Sequence, residues 1–167
     1  MEELLKKITS YNILNNLLPG VVLVAAFPDS EISKFCTSNS FFGAIICYVT
    51  GVVVSRIGSL LLEPALKKIA KHEPYADFIA ASTKDPKIAE LSETNNTFRT
   101  LASTGICYMA IVGMSAADSN WSLLSTYPVT TKIVCAALLS GLFVFSYRKQ
   151  TDYICKRVRA ACDSEKV

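Results

Sequence analysis

The sequence predicts an all-α integral membrane protein, with four transmembrane helices, a short cytoplasmic helical hairpin and amphipathic termini. Three observations lead there. Hydrophobic residues make up 51% of the 167-residue chain although 19% are charged, and mean hydropathy is +0.34. Charges are absent from residues 8–27, 41–55, 100–117 and 133–147. Uncharged apolar runs of that kind are what a hydrocarbon core about 30 Å thick demands. All Lys and Arg residues except Lys34, Arg56 and Lys132 fall in residues 1–9, 63–99 and 148–167. A basic excess marks the cytoplasmic side, so both termini and the middle segment are expected there.

Each element follows in order. Residues 1–9 form an amphipathic cytoplasmic start, with Leu4, Leu5 and Ile8 on one side and a place at the inner interface. Residues 10–62 hold the first two spans, at 10–27 and 41–62, joined by a short outer loop. The first span opens on Asn12, Asn15, Asn16 and Pro19, which at helical spacing share an arc of about 100°. Amides without partners are costly in lipid, so this stripe is expected to face protein or water: an interhelical polar contact, or the lining of a pore. Its separation of Lys6 and Lys7 from the apolar core argues for a span rather than a cleaved leader.

In the second span Ala44, Cys47, Gly51, Ser55 and Gly58 share an arc of about 80°. Ser103, Cys107, Ala110, Gly113 and Ala117 make a similar stripe in the third. Small residues let membrane helices approach closely. Ala44, Gly51, Ser55, Gly58, Ala110 and Gly113 are therefore expected at helix-packing interfaces, within one chain or between copies. Arg56 is the intramembrane charge, with Glu63 two turns on as a candidate partner; the alternative is a side chain that snorkels to the inner surface.

Residues 63–99 form the hairpin, punctuated by Pro64, Pro74 and Pro86; "EPALKKIAK" is expected to continue the second span outward, and "EPYADFIAAS" to form a second helix after Pro74. Its last helix starts at Asp85-Pro86 and is expected to continue into the third span. Residues 100–147 carry the third and fourth spans, with Trp121 and Tyr127 of the outer loop suited to the interface. Residues 148–167 are a basic tail. There Arg148, Lys149, Lys156, Arg157 and Arg159 are expected to contact anionic lipid or a partner.

Catalytic patterns are missing from the sequence. It has no glycine-rich phosphate loop, HExxH, GxSxG or paired-carboxylate motif. The six cysteines form no CxxC pair, and His72, the lone histidine, has no evident metal partner. No cofactor, metal or direct nucleic-acid contact is expected, and the chain is read as non-enzymatic. A lipid-acting enzyme would have to use Arg56 and His72 on a phosphate.

The stretches "SRIGSLLLEPALKK" (residues 55–68) and "LSETNNTFRT" (residues 91–100), set between apolar spans, resemble small four-span bacterial membrane proteins of anti-phage defence loci, the membrane subunits of Kiwa-type systems among them. The resemblance lies in architecture and carries no functional residue across. It implies a homo-oligomeric inner-membrane component that senses or perturbs the membrane and docks a cytosolic partner protein. The rival expectation is a small ion channel or transporter with a polar path near Asn12, Asn15 and Asn16.

Overall fold

The computed structural model describes residues 15–117 and 129–163. Asn12, the amphipathic start, Trp121 and Tyr127 lie outside them. The described residues are helical nearly throughout: α1 (Asn15–Ala25), α2 (Glu31–Ser38), α3 (Ser40–Ile57), α4 (Glu63–Ile69), α5 (Tyr75–Lys84), α6 (Lys87–Ala117) and α7 (Val129–Asp163).

The expected outer loop after the first span holds a helix. Ser30 ends the turn after α1, and its hydroxyl accepts the Ser33 N–H at 3.2 Å, a standard N-cap. Glu31 in the first turn and a 2.8 Å Lys34–Glu31 pair then favour α2. The chain reverses at Asn39, and α3 returns so close to α2 that a Cβ on Gly43 would collide with the Cys36 backbone.

Between α3 and α4 the helix does not stop. A π-helical turn, Gly58–Leu62, joins them, with the Glu63 N–H reaching back to the Gly58 carbonyl. Pro64 supplies the reason: it has no N–H to donate, and its ring presses on the carbonyl four residues back. Widening the helix by one residue relieves that clash. Residues 40–69 thus form one 30-residue rod, about 45 Å long. Ala70 leaves it in an extended conformation.

The hairpin follows. Pro74 leads into α5. Asp85 starts α6 by accepting the Lys87 N–H on its carboxylate at 3.1 Å, with Pro86 at a position where no N–H is needed. From there α6 runs 31 residues without a break, and α7 runs 35. The two pack along much of their length, with α3 against α6 and α5 against α7.

Two helices are long and apolar enough to cross a membrane, Ser40–Ile69 and Val129–Asp163. Four such spans were expected from the sequence. The described part of α1 is a short apolar helix, about 16 Å long, or half a bilayer core. In α6 the apolar half is diluted by Thr100, Ser103, Thr104, Gly105 and Tyr108.

Burial runs opposite to that of a water-soluble bundle. Only 22% and 11% of the most apolar stretches of the two long helices are buried. Phe41 and Leu60 are each 74% exposed and Leu138 69%. Thr100, Ser103, Thr104, Ser115 and Ser140 are buried instead, their hydroxyls mostly turned onto the carbonyl four residues back. Apolar cores do exist, in three places. Leu23, Phe27, Val54 and Val112 cluster between α1, α3 and α6. Leu66, Ala70 and Tyr147 form the middle group. Ala81, Ile88, Ile154 and Val158 hold the hairpin on α7.

Candidate functional site

The densest polar chemistry lies where the apolar rods meet the hairpin. Glu63 opens α4, just past the apolar run of α3. It accepts Lys67 at 2.8 Å, Ser59 Oγ at 3.2 Å and the Arg99 guanidinium. The Glu63 and Arg99 side chains are only 22% and 13% exposed.

This pairing corrects a sequence expectation. Among the described residues Glu63 serves Arg99 and Lys67, not Arg56, and Arg56 is exposed on the far face of α3. A readable signal was present. Arg99 closes the charged hairpin as Glu63 opens it, so two opposite charges sit at one depth on neighbouring helices.

Beside the pair, buried Tyr147 meets His72, whose Nε2 lies 3.3 Å from the phenol oxygen. The His72 Nδ1 lies 2.8 Å from the Ala70 carbonyl, which assigns the proton to Nδ1 and leaves Nε2 to accept from the phenol. One turn further, Asn95 Nδ2 donates to Thr151 Oγ1 at 2.9 Å in a buried contact, and Thr151 donates to the Tyr147 carbonyl. Asn95 Oδ1 and Arg99 Nε are buried without a protein partner among the described residues. A buried polar network of this kind fixes register between helices.

The polar stripe of the first span splits. The Asn15 side-chain oxygen accepts from Thr97 on α6, so its amide is spent on an interhelical contact. Pro19 is buried, and Asn16 contributes its backbone oxygen to the crossing of α1 and α3. There Gly20 and Gly51 face each other: a Cβ on Gly20 would overlap the Cys47 carbonyl, and one on Gly51 the Asn16 carbonyl. At Gly58 and Gly105 a Cβ would meet a side chain instead, the hydroxyls of Ser103 and Ser140. Ser55 lies 3.5 Å from Thr100 through their hydroxyls. Ala44 and Ala110 are exposed, and Gly113 has nothing within 4 Å of a built Cβ. Half of the small-residue set therefore joins helices within the chain and half faces outward.

The basic tail also divides. Arg157 grips Asp85 with Nε at 2.8 Å and Nη2 at 2.6 Å. Arg159 grips Glu73 at 2.7 and 2.6 Å. Both clamp the hairpin onto α7, and Cys155 adds an S–H bond to the Lys71 carbonyl at 3.2 Å. Arg148, Lys149 and Lys156 are exposed and share one face of α7, within about 100°.

A second feature sits higher between α1, α6 and α7. It is a cleft of about 570 Å³ lined by residues including Val22, Leu101, Tyr108, Lys132, Cys135 and Phe143. No group of three or more metal-ligating side chains occurs among the described residues. Comparison of the chain with protein-family models, curated proteins and solved structures returns no match.

Proposed function

We propose that this chain is a non-enzymatic, multi-pass inner-membrane protein that assembles with copies of itself and presents its hairpin to a cytosolic partner. The observation that carries the proposal is the inverted burial: large apolar side chains face outward along α3 and α7 while hydroxyls turn inward. Water would penalise that surface by roughly 25 cal/mol per Å² of apolar area; hydrocarbon accepts it. In this reading α1 and the apolar half of α6 lie in the bilayer beside the two long spans, giving four passes with both termini inside. The outward Ala110 and Gly113 supply a face for a neighbouring copy. The hairpin, held by two arginine clamps, serves as the docking surface, with Arg148, Lys149 and Lys156 toward anionic lipid or the partner. The architectural resemblance to Kiwa-type membrane subunits sets this role in bacterial immunity.

Cysteine accessibility tests the topology. In single-cysteine variants, a membrane-impermeant maleimide added to intact spheroplasts should label Cys36 and spare Cys162 until the membrane is opened. Labelling of Cys162 in intact spheroplasts would overturn the arrangement. For the immune role, expression with its neighbouring genes should lower phage plating efficiency; unchanged plating across a broad phage panel would remove it.

A further inference from the structure

The cleft between α1, α6 and α7 has a shape that limits what can fill it. Along α7 its lining runs from Thr131 to Phe143, about 18 Å at 1.5 Å per residue. One leaflet of the hydrocarbon core is about 15 Å deep. The walls are apolar over nearly their whole length, and Lys132 is the one charged side chain among the described residues that line it. It sits at one end, immediately before the uncharged run 133–147, at the depth of the headgroups on the outer side. Lys34, the other outer lysine, is already held by Glu31 at 2.8 Å. Cys135 and Leu139 are exposed along the opening.

We infer that this cleft holds one acyl chain of an outer-leaflet phospholipid, with the lipid phosphate on Lys132. The inference rests on the membrane topology proposed above. The charge complements a phosphate and stands at one end of a lining about one leaflet long, so headgroup and chain are satisfied together. The site recognises an anionic headgroup at an apolar tail and demands no particular chemistry beyond the phosphate.

The test is native mass spectrometry of the full chain in detergent, titrated with phosphatidylglycerol. The wild-type chain should retain one lipid tightly. Cys135→Trp fills the cleft and should abolish that retention, while Cys135→Ser should keep it. Lys132→Glu should weaken it by about fivefold or more, the weight of one basic residue at a lipid surface. Glycerol phosphate, which has the headgroup charge and no chain, should not compete. Wild-type retention by both Lys132→Glu and Cys135→Trp overturns the inference, as does a dimer mass that Cys135→Trp abolishes with lipid binding unchanged. Thermal melting checks the fold of each variant, and Lys132→Glu alone decides if the tryptophan variant unfolds. Carbonate-washed membranes separate the two readings: a chain that stays in the membrane without binding lipid refutes this site only, and a chain that washes off refutes the topology.

Discussion

Gly20 and Gly51 stand backbone to backbone where α1 crosses α3, and a side chain at either has nowhere to go. Gly51→Leu should lower stability by about 1–3 kcal/mol through overpacking, read as a lower melting temperature in detergent. Gly113→Leu should leave the fold of one chain within about 0.5 kcal/mol, because its side chain enters open space. The same variant should reduce the oligomer mass if copies meet on that face. Arg99→Ala leaves Glu63 to Lys67 and the Ser59 hydroxyl. For a pair this far from fully buried, a loss of about 1–3 kcal/mol is expected, between the surface and buried limits.

Among the elements, the uncharged runs and the proline punctuation were enough to place α3, α5, α6 and the apolar half of α7, because apolar periodicity and helix starts are local signals; that α7 continues through the basic tail to Asp163 was not read. What escaped the sequence was long-range. The outward continuation of the second span past Pro64 was legible, but the π-helical form of the turn was not, since it depends on a helix that tertiary contacts hold together around a proline. The helix α2 hid in a short polar segment whose cap, Ser30, looks like any loop serine. Most of the polar junction was hidden for the same reason: Asn95 and Thr151 lie 56 positions apart, and His72 and Tyr147 lie 75 apart. Arg157 and Arg159 read as a diffuse basic tail, yet their partners, Asp85 and Glu73, belong to another element. Replacing both arginines by alanine should loosen α5 from α7. Amide exchange in α5 should quicken while exchange in the apolar half of α7 stays unchanged. Pro64→Ala restores a donor to the turn and should draw it back to α-helical geometry. That turns α4 relative to α3, and a spin-label distance between α4 and α6 should change by several ångströms.

At the scale of the molecule, the apolar parts and the charged parts share helices rather than occupying separate domains. Carbonate extraction should leave the chain in the membrane fraction, and loss of the chain to the supernatant would refute the reading of its surface. Both α6 and α7 pass from the apolar region into the hairpin region as unbroken helices, 31 and 35 residues long, and the hairpin is fastened to them by the Arg157 and Arg159 clamps. Mechanically this makes α7 a lever about 52 Å long. Pivoting at its middle, it carries its tip about 4–5 Å for every 10° of tilt. Tilt is the quantity that bilayer thickness controls. With α7 spanning the bilayer as proposed above, a change in membrane thickness that tilts it would displace the hairpin, without any joint between the two regions.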